Sequence, residues 1–380
     1  MNILIYTAYY PAPQGVKLPR DTEVVWYFAR ECVKMGHDVR VVYMNFRFTS
    51  QLLNGLARVF PKEGDYVFDG LPVHYFDVQG YLPKRWYTSG AQAKWIDRRL
   101  RRHFAKDGWT PHRVFIQFPT RFTGIAHPFS FGVPTLGVFH STDMFCLQKD
   151  GGPARRYVRK LKNYGYFSSI IRDYLEQEFG CQGVPSFTGI DSNLLPGEAF
   201  IEEKISRRPD TLRILYAGRF IARKKVDTLI RSVQSLPFPA TLEIVGDGPE
   251  NDSLRALAAG SGNIRFTGRL PREEVIRRMR LADVFVTVSH TETFGLVYLE
   301  AMAQGCLTVG SRGEGSDGII VSGENGFLIP AGDQEELTKT LRYIHAMKEE
   351  ERAAMIRRAY RLCQETTNEK MAEIQVQRNV

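Results

Sequence analysis

Short β-branched and aromatic runs alternate with amphipathic stretches along the whole chain, the rhythm of buried strands covered by helices. In the first half the apolar runs are residues 3–6, 39–44, 114–118, 135–139 and 168–171. In the second half they are residues 213–217, 242–245, 263–267, 284–288 and 307–310. Between the first two runs, residues 22–36 carry apolar side chains at helical spacing and end at Gly36, a suitable left-handed stop. That makes a βαβ unit, and residues 272–280 read as another connecting helix. Two successive blocks of this kind predict an α/β chain with two doubly wound parallel sheets. A length of 380 residues agrees, since it exceeds what one core usually organises. The strand pattern gives way near Thr188-Gly189-Ile190-Asp191, or in the charged stretch up to Pro209. The expected domains are therefore 1–190 and 191–365, followed by a terminal helix over 366–380, with a cleft at the join.

The run at 284–288 leads into Ser289-His290-Thr291-Glu292-Thr293-Phe294-Gly295-Leu296-Val297-Tyr298-Leu299-Glu300-Ala301-Met302-Ala303-Gln304-Gly305. Glu292 and Glu300 bracket the start and second turn of a short helix whose apolar side is Phe294, Leu296, Val297, Leu299 and Met302. A strand placed before it delivers the helix N-terminus to the carboxyl edge of a parallel sheet, where ligand sites lie. Free amides there attract phosphate, and Gly295 permits close approach of a ligand to the backbone. Carboxylates suit hydroxyl groups better. The pattern fits a ligand that carries both a diphosphate and a sugar; its competitor is a capped surface helix with two solvated glutamates.

Other loops at strand ends add candidates. Gly218-Arg219-Phe220-Ile221-Ala222-Arg223-Lys224-Lys225 follows the strand at 213–217 and places cations at the same sheet edge. Val245-Gly246-Asp247-Gly248 and Gly268-Arg269-Leu270-Pro271 read as tight turns into helices. In the first half, the first strand is followed by a loop ending at Gly15, whose amide could serve an anion. His140 closes the fourth strand, at the cleft edge, and Asp143 stands nearby as a weaker candidate.

These segments resemble the retaining glycosyltransferases of family four, the group 1 glycosyl transferases with a GT-B fold of two Rossmann-like domains facing across a cleft. Glu292 and Glu300 match the two acids of the Glu-(x)7-Glu signature. The resemblance implies that Glu300 binds the ribose of a sugar nucleotide, that Glu292 addresses the donor hexose, and that Phe294, Gly295 and Leu296 flank the donor. Gly218 to Lys225 is similar to the family's Gly-Arg-(x)4-Lys-Gly segment, with Arg219 and Lys224 on its two cations and Lys225 in place of the final glycine. By the same resemblance Arg219 and Lys224 bind the diphosphate and neutralise the departing nucleotide, and Arg269 and Leu270 touch the base through backbone. Gly15 occupies a loop that in the family is glycine-rich, and His140 stands where a histidine approaches the donor sugar and reacting centre. The implied catalytic set is His140, Glu292, Arg219 and Lys224, with retention by same-face attack and no protein nucleophile named. No cofactor is implied and no metal, since no Asp-x-Asp context is present. Thr188 replaces the asparagine of the usual Asn-Gly-Ile-Asp hinge, and the segment from Met371 onward would cross back to the first domain. Gly313-Glu314-Gly315-Ser316-Asp317 departs from the usual Gly-Gly-Ile-Pro-Glu, which leaves the donor sugar and its base, uridine or guanosine, open. The resemblance thus implies a nucleotide-sugar-dependent hexosyltransferase acting on a glycan or lipid-linked acceptor in surface polysaccharide or glycolipid synthesis.

Composition narrows the partners. Hydrophobic residues make up 43% of the chain, which is globular, and no apolar run is long enough to span a bilayer. The opening residues lack a basic leader and read as a core strand, not a signal peptide. Five widely spaced cysteines, without any Cys-x-x-Cys or Cys/His ligand pattern, suggest a reducing compartment and no structural zinc. A net charge of +9 calls for an anionic partner. Much of it lies in residues 94–104 and 155–162, where Lys and Arg mix with Trp, Leu, Phe and Tyr. Such runs suit helices on an anionic membrane surface, and equally ordinary solvated faces. The expectation is a cytoplasmic protein, peripheral at the inner membrane face. An epimerase-like sugar-nucleotide enzyme on the same fold is the alternative. Nucleic-acid binding is not expected, since only charge favours it and no binding module is present.

Overall fold

The computed structural model describes residues 1–12, 23–48, 63–81, 88, 90–150, 152–180, 182–207, 210–290 and 295–378. Contacts divide the chain into two compact units. The first comprises Met1–Phe167, Ile171–Thr188 and Asn368–Val380; the second comprises Ser168–Ile170 and Gly189–Thr367.

The first unit runs β1 (Asn2–Thr7), α1 (Val24–Lys34), β2 (Asp38–Phe48), β3 (Glu63–Phe68), β4 (Leu71–Tyr81), α2 (Gly90–Phe104), β5 (Arg113–Gln117), β6 (Thr135–Phe139), α3 (Ser141–Asp150), α4 (Pro153–Val158), β7 (Asn163–Tyr166), α5 (Ser169–Phe179) and β8 (Val184–Pro185). Its sheet has the order β3-β4-β2-β1-β5-β6-β7-β8. Ile3, Leu4, Ile5 and Tyr6 of central β1 are fully buried, as expected of a parallel strand covered on both faces. β3 is the exception to the parallel pattern: it pairs antiparallel with β4 through a two-residue turn. Asp69 and Gly70 both have positive φ, 48° and 77°, the requirement of a type I′ hairpin.

One expected strand is corrected. Residues 168–171 are not a strand: β7 lies at Asn163–Tyr166, and α5 begins at Ser169. Ile171 and Leu175 share a buried helical face four residues apart, so the apolar run there has the period of a helix.

The second unit runs α6 (Glu198–Ser206), β9 (Leu212–Ala217), α7 (Val226–Gln234), β10 (Ala240–Val245), α8 (Asn251–Leu257), β11 (Ile264–Gly268), α9 (Arg272–Leu281), β12 (Val284–Val286), α10 (Leu296–Ala303), β13 (Leu307–Ser311), β14 (Phe327–Ile329), α11 (Gln334–Ala346) and α12 (Glu349–Glu365). Its six strands are all parallel, in the order β11-β10-β9-β12-β13-β14. The order reverses between β9 and β12, the switch point where an open sheet leaves a crevice. Ile214, Tyr216, Leu242, Ile244, Val284, Val286 and Val309 form the core with Leu229 and Leu337 of the covering helices. After α12 the chain enters α13 (Asn368–Arg378), which packs on α1 and β8 of the first unit.

The second unit also buries a cation. Lys204 of α6 is 7% exposed, and its ammonium donates to Met279 O at 2.9 Å and Gln304 O at 2.7 Å. Those carbonyls lie at the C-terminal ends of α9 and α10, where the helix dipole welcomes positive charge. Burial lowers the Lys204 pKa, and the nearby Cys306 thiol and Asp283 oppose that shift. Lys204→Met keeps the volume but removes the ammonium donor from both carbonyls, leaving Met279 O with only the Cys306 thiol at 3.1 Å. It is expected to lower stability by about 1–3 kcal/mol, read from the urea midpoint, after the relief of desolvation is deducted. An unchanged midpoint would mean that the two bonds only balance the cost of burying the charge.

Candidate functional site

β9, β10 and β11 end side by side, and their following loops enclose a recess of about 510 Å³. Ala217, Gly218 and Arg219 come from the first loop, Val245 to Gly248 from the second, and Arg269 and Leu270 from the third. The first two loops press together so closely that side chains are excluded. A Cβ on Gly246 would lie 1.8 Å from the Gly218 carbonyl oxygen, and Gly246 itself has φ 141°. The glycines read from the sequence as turn residues therefore let two loops share one strand edge. Arg219 is exposed at the mouth, while Phe220 beside it is fully buried and anchors the loop. Two guanidinium groups and one carboxylate, Asp247, supply the charge of this recess.

Lys224 does not line the recess. It closes a 3-10 turn, Ala222–Lys224, whose next residue, Lys225, has φ 51°. This left-handed conformation is the one a glycine adopts without strain, which accounts for the glycine expected by resemblance at Lys225. The Arg223 carbonyl of the same turn accepts from the His290 amide at 2.8 Å and so ties it to the segment approaching α10. Gly295 and Leu296, half-buried, open that helix. Tyr298 anchors it through a 2.8 Å hydrogen bond to the Thr287 carbonyl. Glu300, in the second turn, is largely buried and receives both Nε (2.9 Å) and Nη2 (2.6 Å) of Arg272 on a single oxygen, Oε1. Arg272 escaped the sequence reading; the only signal was its place two residues beyond Leu270. Gly15, Glu292 and Phe294 lie outside the described residues.

In the first unit, His140 is 4% exposed and is sandwiched between Phe118 at 3.8 Å and Phe167 at 4.6 Å. Its Nε2 lies 2.8 Å from Gln117 Oε1, the arrangement of a neutral imidazole donating that proton. Phe118 holds φ 62°, an uncommon conformation for a bulky residue, in placing its ring there. Asp143 is buried and structural: its oxygens accept from the His140 amide at 2.9 Å and from Thr120 N at 3.0 Å and Oγ1 at 2.5 Å. Burial depresses the His140 pKa to about 3 and raises that of Asp143 to about 6.

Set beside known proteins, residues 198–362 match the family model described as glycosyl transferases group 1. Through this segment the chain is similar to that family, and its two parallel-sheet α/β units have the GT-B fold. The lipopolysaccharide core biosynthesis glycosyltransferase LpsE of Rhizobium meliloti is 36% identical over 146 residues, 38% of this chain and 42% of that protein. The match thus spans less than half the length of LpsE. N-acetyl-alpha-D-glucosaminyl L-malate synthase of Bacillus anthracis is 29% identical over 80% of this chain and 78% of its own. Among solved structures, Anabaena HepE in complex with UDP superposes with a TM-score of 0.69 at 17% identity, covering 99% of each chain.

Acid stability follows from the buried imidazole. The unfolded chain takes up a proton near pH 6.5 that folded His140 refuses until about pH 3, so stability falls as pH falls through this window. His127, depressed to about 4, acts in the same direction, and Asp143, raised from 3.8 to about 6, opposes both. His140→Gln removes one histidine contribution. The loss of unfolding free energy between pH 6 and pH 5 is expected to shrink by about 1 kcal/mol in denaturant titrations. An unchanged pH slope would show that the imidazole titrates normally in the fold.

Proposed function

We propose that the protein is a retaining glycosyltransferase that moves a sugar from a nucleotide-sugar donor to a glycan or lipid-linked acceptor in surface polysaccharide or glycolipid synthesis. The observation that carries this reading is the recess at the carboxyl edges of β9, β10 and β11, bordered by Arg219, Arg269 and Leu270 within the family segment. HepE, solved in complex with UDP, supports a nucleotide ligand, and LpsE, a glycosyltransferase of lipopolysaccharide core biosynthesis, supports the setting.

In this reading the base lies against the backbone at Arg269 and Leu270, and the diphosphate meets Arg219, Lys224 and the free amides opening α10. With Oε1 of Glu300 taken by Arg272, Oε2 accepts from the ribose hydroxyls. Glu292 addresses the donor hexose, and Gly15 offers its amide to the diphosphate. Negative charge grows on the diphosphate as the glycosidic bond breaks, so fixed cations there lower the barrier selectively. No metal is assigned to this step. His140, neutral and packed, orients the donor sugar as a hydrogen-bonding group and is not a general base.

The first unit adds a membrane-suited face. Lys94, Trp95, Arg98, Arg101, Arg102 and Lys106 are exposed along α2 and just beyond it, with Trp95 41% exposed. Arg99 is turned aside to Glu63, and Arg155 of the second basic run is paired with Glu178, so neither belongs to a free basic face. Among the described residues no helix is long and apolar enough to cross a membrane, so any membrane contact in this reading is peripheral.

A screen of uridine and guanosine sugar nucleotides should find one that raises the unfolding temperature. With that donor, Glu300→Gln is expected to weaken binding about tenfold by calorimetry, because a charged acceptor becomes a neutral one. Arg219→Ala should lower kcat more than it raises KM. Unaltered affinity in the first variant, or an effect confined to KM in the second, would withdraw those roles. Reversing Arg98, Arg101 and Arg102 to Glu should release the protein from anionic vesicles in co-sedimentation, since each cation near such a surface contributes about 1 kcal/mol. Equal sedimentation of both proteins would make this face an ordinary solvated one.

A further inference from the structure

Away from the recess, three potential ligands converge in the first unit. Asp65 of β3 and His74 of β4 are directly opposed across the hairpin, and His103 sits in the last turn of α2. Asp65 Oδ1 lies 2.5 Å from His74 Nδ1, and the two imidazole rings stack at 3.6 Å. One donor atom from each residue falls within 4.8 Å of the others. All three border a pocket of about 450 Å³, whose wall also carries Arg40 and Asp107, paired at 2.5 Å. We propose that Asp65, His74 and His103 bind a divalent transition-metal ion of the zinc class.

The donor set selects the ion. Two imidazoles with one carboxylate suit zinc and its neighbours, whereas calcium and magnesium require oxygen ligands throughout. Around a tetrahedral ion with bonds of about 2.1 Å, donors stand about 3.4 Å apart. Reaching that spacing takes opening of the Asp65–His74 contact by rotation of Asp65, whose side chain is 66% exposed, and rotation of the half-buried His103 out of its stack on His74. The other face of His74 supplies an independent indication. Its Nε2 is buried, makes no well-formed hydrogen bond and lies 3.4 Å from Glu63 Oε1. Glu63 is itself fixed by Arg99, whose Nε donates to Oε2 at 2.6 Å. A ligating histidine ordinarily turns its second N–H to a held carboxylate, and this chain of Nδ1 toward the ion, Nε2 toward Glu63 and Glu63 toward Arg99 has that form. Three protein ligands leave a fourth position for water on the pocket side. The ion would fasten the β3–β4 hairpin to α2.

Full-length protein stripped with a chelator and titrated with Zn²⁺ alone should show a rise in unfolding temperature that Mg²⁺ at equal concentration does not produce. Co²⁺ in place of Zn²⁺ should develop the visible absorption of a low-coordinate ion. Asp65→Asn and His103→Gln, both at sites open enough to tolerate change, should abolish the Zn²⁺ effect, and Glu63→Gln should weaken affinity about 10–100-fold. Absence of a Zn²⁺ shift in the parent, an equal shift with Mg²⁺, or a parental shift retained by His103→Gln would overturn the proposal and leave Asp65 and His74 as an ion pair.

Discussion

A single buried ammonium ties together two helices of the second unit at the end away from the recess. Lys204 reaches from α6 to the last carbonyls of α9 and α10, so one charge closes two helices at their negative ends. Gln304 shares the arrangement: its side-chain amide donates to Leu194 O at 2.6 Å, and its Oε1 accepts from Arg280 at 3.0 Å. Arg272, which opens α9, grips Glu300 in the second turn of α10. The two helices are therefore coupled twice, once through main-chain carbonyls and once through side chains. The position of Glu300 relative to the Arg269–Leu270 turn depends on that pair of ties and not on α10 alone, which has only eight residues.

The first unit solves a different problem with aromatic packing. His140 is kept neutral by burial between two phenyl rings, and the backbone of Phe118 is held in an unfavourable region to build one side of that sandwich. Asp143 then uses both oxygens on neighbouring amides and a hydroxyl, so its carboxyl belongs to the strand-end turn and is not offered outward. The contrast between the units is chemical. One edge presents formal charge on exposed side chains; the other presents a polar group stripped of its capacity to ionise near neutral pH.

Much of the fold was legible because parallel strands buried on both faces leave continuous apolar runs, and β6, β9 and β10 match theirs within two residues at each end. The β3–β4 hairpin was missed although Asp69-Gly70 is a strong turn signal, because Glu63, Gly64 and Asp65 give β3 a polar start that hides its alternation. β14, only three residues long, offers too little period to detect. Of the residues lining the recess, Arg219 was readable from the glycine that precedes it at a strand end, whereas Arg269 and Leu270 entered through the family resemblance, their segment reading by itself only as a turn. Arg272 was not readable, since an ion pair between residues 28 apart leaves no trace in local pattern. The same holds for Asp65, His74 and His103, which no ligand motif connects and which only the strand register and the end of α2 bring together.

The return of α13 to α1 and β8 has a consequence for the order of biosynthesis. A ribosome delivers nearly all of the first unit, then residues 189–367 of the second, and only afterwards the helix that completes the first. At typical elongation rates that interval lasts on the order of ten to forty seconds. Throughout it, the surface destined to receive Met371, Ala372 and Val376 stands uncovered on the nascent chain, and by its end the second unit has every element it needs. The later-made half is therefore fully synthesised first, and the earlier half waits with an apolar face open to solvent.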